Sequence, residues 1–183
     1  VNTLHQTLAG NTTRITGSLQ IDAGSKLVTQ GSAVLFVGGL NIDGTGQLDI
    51  GSAKVVVDYS GASPLATDVL PKLITGRNGG AWNGNGIASS TAAANPSRLA
   101  IGYAEASDLG IGSFGSEAVD TEAIVMRVTY KGDANLDGAV DSTDFSAITA
   151  GYGITANGLW VQCDFNYDQK INTLDFNDLA GNF

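Results

Sequence analysis

A short acidic pattern occurs twice in the last third of the chain, and it constrains the possible structures more than any other feature. Residues 133–152 align with residues 164–183 at an offset of 31. The matching pairs are Asp133 and Asp164, Asn135 and Asn166, Asp137 and Asp168, Asp144 and Asp175, and Phe145 and Phe176. An internal repeat of this kind predicts a duplicated structural unit, here one loop followed by one helix.

Within each repeat, the oxygen-bearing residues have the spacing of a 12-residue EF-hand-type calcium loop. Calcium takes six to eight oxygen ligands, and such a loop supplies them from positions 1, 3, 5, 7, 9 and 12. The first predicted set is Asp133, Asn135, Asp137, the backbone carbonyl of Ala139, Asp141 and Asp144. The second set is Asp164, Asn166, Asp168, the backbone carbonyl of Lys170, Asn172 and Asp175. We therefore predict two Ca²⁺ sites.

The two predicted sites are not equivalent. Position 6 of the loop requires a sharp backbone turn, and Gly138 occupies it in the first loop while Gln169 occupies it in the second. A side chain at a left-handed turn costs about 1 kcal/mol relative to glycine. Asn172 at position 9 also carries no charge, unlike Asp141 in the first loop. We expect the first site to bind Ca²⁺ more tightly than the second.

The charge of the chain is concentrated around this repeat. Residues 132–183 hold eight Asp and one Lys, a net charge of −7, whereas the whole chain carries −9. An acidic chain is a poor partner for nucleic acid, because phosphates are bound by clustered Lys and Arg. The sequence also has no apolar run of the roughly 18 residues that a membrane span requires. The single cysteine excludes an intramolecular disulfide.

The preceding residues have the pattern of a β structure. From residue 12 to residue 59, short apolar runs alternate with Gly, Asp and Ser turns at near-regular spacing, which predicts a mainly β domain. An elongated or solenoid-like β domain and a compact sandwich both fit this pattern. A short helix is expected near residues 64–75, followed by a loop-rich segment over 76–122. Two further strands are expected at residues 99–104 and 123–130, the second with apolar residues at alternate positions. We place the domain boundary between residues 131 and 132.

The C-terminal repeat resembles the type I dockerin family. The residues that carry the resemblance are 132–138 (GDANLDG) and 164–168 (DFNYD), with each loop ending on Asp at position 12. The resemblance implies a small α-helical module that docks onto a cohesin protein. It also implies partner contacts at the start of each helix, from Ser142, Thr143, Thr173 and Leu174. The residues themselves equally fit ordinary helix-start positions.

The region before the repeat resembles the C-terminal part of planctomycete-type surface proteins, which are rich in Gly and Thr. The resemblance rests on residues 79–87 (GGAWNGNGI), 89–90, 92–94 and 102–103. It implies a secreted, non-catalytic protein at the bacterial cell surface, and it makes a cohesin a less favoured partner.

These observations favour an extracellular structural or adhesive protein whose calcium-stabilised end docks, caps or anchors it. One alternative is a subunit of an extracellular fibre that self-associates through its β faces. A second alternative is a cohesin-binding or carbohydrate-binding fragment of a secreted polysaccharide-degrading enzyme. Trp82 and Trp160 fit core positions better than sugar-stacking positions, and we expect this chain to have no catalytic activity.

Overall fold

The computed structural model describes residues 3–7 and 12–183, and within them the chain forms a mixed α/β fold with 27% helix and 30% strand. The strands are β1 (Thr3–Thr7), β2 (Thr13–Ile21), β3 (Lys26–Gln30), β4 (Val34–Ile42), β5 (Gln47–Asp49), β6 (Lys54–Asp58), β7 (Gly86–Ala88), β8 (Leu99–Glu105), β9 (Ser113–Phe114), β10 (Glu117–Ala118) and β11 (Ala123–Tyr130). The α-helices are α1 (Leu70–Arg77), α2 (Ser90–Ala94), α3 (Ala106–Leu109), α4 (Ser142–Gly151) and α5 (Thr173–Ala180). A π-helical turn over Leu65–Val69 leads into α1, and 3-10 turns cover Asn78–Gly80 and Trp160–Gln162.

The described strands form two larger sheets and one short hairpin. In the four-stranded sheet, β1, β3, β5 and β7 pair in parallel in that order. In the five-stranded sheet, β2, β4 and β6 are parallel, and β11 and then β8 follow as antiparallel strands. From β1 to β6 the chain alternates between the two sheets, so that successive strands of one sheet are separated by a strand of the other. The hairpin consists of β9 and β10.

The central strands of the five-stranded sheet are buried on both faces. Residues 34–37 in β4 are at most 5% exposed, and residues 55–57 in β6 are at most 1% exposed. Unbroken apolar runs of this kind are typical of parallel strands that are covered on both sides. Leu48 of β5 and Ile87 of β7 belong to the same apolar cluster as these residues, so the two sheets share one core.

The fold class that we predicted from the sequence is wrong. Instead of a mainly β domain, solenoid-like or sandwich, followed by a separate helical module, the described residues form a mixed α/β structure with five α-helices. Three of these helices, α1 to α3, lie before residue 131 and are interleaved with strands. The short helices α2 and α3 have only five and four residues, too few for a helical apolar period to be recognised in a sequence.

Some local expectations are confirmed. Helical structure covers residues 65–77, close to the predicted 64–75, and it includes an unexpected π-helical turn. β11 begins and ends where the alternating pattern of residues 123–130 predicted. β11 leads almost directly into the first acidic loop, because it ends at Tyr130, three residues before Asp133.

One apolar cluster includes side chains from both sides of this junction. Ile101 and Tyr103 of β8 belong to it, together with Trp160, Phe165 and Ile148 of the C-terminal part. At Gly102, an added Cβ would lie 2.4 Å from Leu136 Cδ2 and 2.9 Å from the Trp160 ring, so only glycine permits this close approach. The C-terminal loops and helices therefore pack directly on the five-stranded sheet.

Candidate metal centre

The first acidic residue of each loop accepts the same pair of backbone hydrogen bonds. The Asp133 carboxylate accepts from Asp137 N at 3.1 Å and from Gly138 N at 2.9 Å. The Asp164 carboxylate accepts from Asp168 N at 3.1 Å and from Gln169 N at 2.9 Å. The sequence repeat is therefore reproduced in the backbone, because each pair of donors lies four and five residues after its Asp.

The last acidic residue of each loop closes the loop on itself. Asp144 accepts from Ala134 N at 2.8 Å and from Asp141 N at 2.9 Å, so it bonds to positions 2 and 9 of its own loop. Asp175 makes the equivalent bonds to Phe165 N and Asn172 N, both at 3.0 Å. The carboxylate at position 12 therefore holds the backbone near the start of its loop and the backbone at position 9. It does so from inside the helix that follows the loop.

Position 9 of each loop is also the N-cap of the following helix. The side chain of Asp141 accepts from Thr143 N at 2.7 Å, and the side chain of Asn172 accepts from Leu174 N at 2.8 Å. With position 12 bonding back to the cap, each loop ends in a capping box, which stabilises a helix start. The helices are therefore aligned with the loops by the same residues that are predicted to bind the metal.

The middle of the two loops differs in detail. Asn135 Nδ2 donates to Asp137 Oδ2 at 2.9 Å in the first loop. In the second loop Asn166 Nδ2 is buried, and no residue in the described part of the chain accepts its hydrogen bond. Gly138 has φ 100°, and Gln169 has φ 63°. The second loop therefore keeps the left-handed turn at position 6 with a side chain that disfavours it.

The first and last Asp of each loop are buried. Asp133, Asp144, Asp164 and Asp175 are all at most 1% exposed. None of the ion pairs found in residues 3–7 and 12–183 includes one of these four carboxylates. Burial of a carboxylate without a cationic neighbour is unfavourable, because water no longer solvates the charge.

The pKa values of these groups reflect that cost. Burial raises the pKa of Asp133 to about 6, although the hydrogen bond from Thr129 acts in the opposite direction. Burial also raises the pKa of Asp164 to about 7, and the nearby charge of Asp175 adds to the rise. The pKa values of Asp144 and Asp175 are raised as well, mainly by burial. Both loops thus hold carboxylates in an environment that disfavours their charged form.

The oxygen donors in the loops fit a hard cation. Each loop combines Asp carboxylates, an Asn amide oxygen and a backbone carbonyl, which is the mixture that calcium prefers. Within the described residues, no group of three or more His, Cys, Asp or Glu side chains is arranged to hold a metal ion. The predicted ligand set of each loop therefore depends on amide and backbone oxygens as well as carboxylates.

Side chains from outside the loops hold them on the five-stranded sheet. Thr129 Oγ1 donates to Asp133 Oδ2, and Trp160 Nε1 donates to the backbone carbonyl of Asp133 at 2.7 Å. Arg127 Nη1 donates to the carbonyl of Leu136 at 3.0 Å. Sequence reasoning did not identify Thr129 or Arg127, because both precede the loop pattern and neither recurs at the offset of 31.

The second loop contacts the sheet mainly through aromatic side chains. Tyr167, at position 4 of this loop, donates its hydroxyl to the backbone carbonyl of Ile101 in β8. Its ring lies 5.6 Å from Trp82, 5.7 Å from Tyr103 and 6.0 Å from Trp160, measured between ring centroids. Trp82 and Trp160 are at most 1% exposed, so both are core residues as expected.

The outer face of α4 and α5 is apolar and exposed. Phe145 and Phe176 are 43% and 38% exposed, and their ring centroids lie 6.3 Å apart. Two shallow cavities of about 440 Å³ flank this pair. The first is lined by Ser142, Phe145, Phe176, Leu179, Ala180 and Phe183, and the second by Ile148, Thr149, Tyr152, Thr173 and Phe176. The offset of 31 relates the two cavities, so we call the whole surface the paired aromatic face.

The residues suggested by the dockerin resemblance lie at the helix starts. Ser142 and Thr143 begin α4, Thr173 and Leu174 begin α5, and all four are exposed. Ser142 and Thr173 line the two cavities of the paired aromatic face. The Thr173 hydroxyl also lies 2.9 Å from the Tyr152 hydroxyl.

Comparison with models of known protein families and with curated proteins gave no match, and comparison with solved structures gave none either. In the part of the chain that the structure describes, every helix is too short or too polar to span a membrane.

Proposed function

We propose that this chain is a non-catalytic, calcium-binding structural protein of the bacterial cell surface. In this proposal, its C-terminal loops bind two Ca²⁺ ions and its C-terminal helices cap its own β-sheet. The observation that carries the proposal is the repeated hydrogen-bond set. Two loops 31 residues apart hold their first and last Asp in the same way and bury both.

The charge balance supports a divalent cation. Two Ca²⁺ ions would add four positive charges to residues 132–183 and change their net charge from −7 to −3. Four buried carboxylates would then lie beside cations, which removes most of the cost of their burial. Because the unfolded chain does not present such sites, the binding free energy would stabilise the folded state.

The packing of the C-terminal part supports a cap. The loops bond to β11 through Thr129 and Arg127, and to β8 through Ile101. An extracellular location is supported by the composition, with one cysteine and one methionine among abundant small polar residues, and by the resemblances described above. We infer a structural role, because the calcium-bound loops would join the C-terminal helices to the β-sheet of the same chain.

Calcium titration of single-site variants tests this proposal. We expect the unmodified chain to bind two Ca²⁺ ions in isothermal titration calorimetry. Asp133→Asn and Asp164→Asn should each lose one ion, and the ion lost in Asp133→Asn should be the tighter one, because the second loop has the strained turn at Gln169. The effect on the altered site should be at least about tenfold, as for removal of a charged ligand.

Asp108→Asn is the matched control for these variants. Asp108 is exposed and lies in α3, outside both loops, so this change removes the same charge without altering a predicted ligand. It should leave both sites intact. Absence of calcium binding by the unmodified chain, or equal weakening by all three variants, would show that the loops are not specific sites.

The paired aromatic face supports a second candidate function, docking of a protein partner. Its lining residues are uncharged, and residues 132–183 around it carry net negative charge even after two Ca²⁺ ions are added. Charge complementarity therefore favours a partner that presents apolar side chains surrounded by Lys or Arg. A second copy of this chain is disfavoured at this face, because the two negatively charged C-terminal parts would repel one another.

A helical peptide of Leu and Lys is a suitable probe for this face. We expect it to bind the calcium-loaded chain, and we expect binding at least about tenfold weaker to the variant with Phe145→Ser and Phe176→Ser. Tyr130→Ser is the control, because Tyr130 is 38% exposed but lies on β11, outside this face. Equal binding of a Leu and Glu peptide, or unchanged binding by the double variant, would contradict the proposal.

A further inference from the structure

Thr129 is a buried polar residue in β11, which lies between β6 and β8 in the five-stranded sheet. It is 4% exposed, and its hydroxyl donates to Asp133 Oδ2, the first predicted ligand residue of the first loop. The residue lies in β11, four positions before the loop begins. A strand of the β-sheet therefore contacts the predicted metal site directly.

We propose that Thr129 is a positioning residue for the first calcium site, and that calcium in this loop and β11 in the sheet stabilise one another. This inference rests on the calcium binding proposed above. The role is one of orientation, because the Thr129 hydroxyl acts through the carboxylate of Asp133.

The hydrogen bonds of Asp133 restrict its carboxylate in a defined way. Oδ2 accepts from both Thr129 Oγ1 and Gly138 N, whereas Oδ1 accepts from Asp137 N at 3.1 Å. Two donors on one oxygen fix the rotation of the carboxylate about its bond to Cβ. Loss of a hydrogen bond that orients a metal-binding side chain in this way typically weakens metal affinity by tenfold to a hundredfold.

The same short segment is held at two further points. Trp160 Nε1 donates to the Asp133 carbonyl at 2.7 Å, so both the backbone and the side chain of this residue are fixed. Arg127, two residues before Thr129 on β11, donates to the carbonyl of Leu136 at 3.0 Å. β11 thus holds the first loop at its first and fourth positions.

The second loop lacks this arrangement. The offset of 31 places Trp160 where the first repeat has Thr129. Among the described residues, the Asp164 carboxylate accepts from the backbone N–H groups of Asp168 and Gln169, with no side-chain donor. Loss of the Thr129 hydroxyl should therefore weaken the first site and leave the second site unchanged.

Coupling to the sheet follows from the pairing of β11. This strand pairs with β6 on one side and with β8 on the other. If an ordered β11 favours calcium binding through Thr129, calcium must favour an ordered β11 by the same free energy, because linkage is reciprocal. Calcium in the first loop would then stabilise the C-terminal end of β11 within the sheet.

The first test measures calcium affinity in the full chain with the second site disabled by Asp164→Asn. In this background Thr129→Val should weaken binding about tenfold or more, because valine keeps the shape but lacks the donor. Thr129→Ser restores the hydroxyl and should recover most of the affinity. Thr29→Val is the control, because Thr29 is 2% exposed, lies in β3 of the other sheet, and donates its hydroxyl to the carbonyl of Ile50, outside both loops.

The second test uses the unmodified chain and so does not depend on a variant that folds poorly. Hydrogen exchange with calcium and with chelator should show a larger calcium-dependent gain in protection for Ala123–Tyr130 than for Lys26–Gln30. Unchanged affinity in Thr129→Val, or equal gains in both strands, would overturn the inference while leaving calcium binding intact. Failure of the unmodified chain to bind calcium would overturn both.

Discussion

Removal of calcium with a chelator should lower the melting temperature of this protein by roughly 15–30 °C. Two sites at about a thousand times their dissociation constants contribute about 8 kcal/mol to the free energy of unfolding. For a chain of this length, each kcal/mol corresponds to about 2–4 °C. The physical source is the burial of Asp133, Asp144, Asp164 and Asp175, whose repulsion and lost hydration are unopposed when calcium is absent.

The loss should extend beyond the loops to the five-stranded sheet on which they pack. Side chains of the sheet and of the C-terminal part belong to one apolar cluster, and Gly102 allows Leu136 and Trp160 to pack closely on β8. Differential scanning calorimetry with calcium, with chelator, and with calcium restored after chelation measures the effect. Magnesium at the same concentration should restore little stability, because it requires a smaller and more regular coordination shell. An unchanged midpoint after chelation would contradict the two calcium sites.

Trp160→Ala should cause the largest loss of stability among single substitutions in the contact between sheet and loops. Trp160 is fully buried, with its ring centroid 5.1 Å from that of Phe165, and its Nε1 donates to the carbonyl of Asp133. Truncation of a buried tryptophan costs about 3–5 kcal/mol through lost contacts and the remaining cavity. The Asp133 carbonyl would also lose a hydrogen bond in a buried position.

Denaturant unfolding with calcium present measures this effect. Trp160→Phe keeps an aromatic ring but removes the Nε1 donor, so it should cost less than Trp160→Ala. Tyr152→Ala is the control on the exposed side, because Tyr152 is 57% exposed and its loss should change the free energy of unfolding by about 0.5 kcal/mol or less. A loss below about 1 kcal/mol in Trp160→Ala would indicate that the loops and the sheet are not joined as described.

Long elements with a clear apolar period could be predicted from the sequence, whereas short elements could not. The strand at β11 was predicted because Ile124, Met126, Val128 and Tyr130 recur at every second position. β7 was missed, because it has three residues inside a segment rich in Gly and Asn, and it becomes a strand only by pairing with β5. The fold class was wrong because α2, α3, β7, β9 and β10 are too short to show a period in the sequence, and they form through contacts with the rest of the chain.

The two acidic loops could be located from the sequence because their geometry is local. All the hydrogen bonds that close the first loop join residues within Asp133–Asp144, so the order of Asp, Asn and Gly along 12 residues is sufficient to specify it. The part of the sheet that the loops contact could not be predicted from the sequence in this way. The loops contact Thr129, Gly102 and Ile101 only after β8 and β11 have paired. The contacts of Gly102 and Ile101 join residues that are distant in the sequence, so the spacing of residue types along the chain does not predict them.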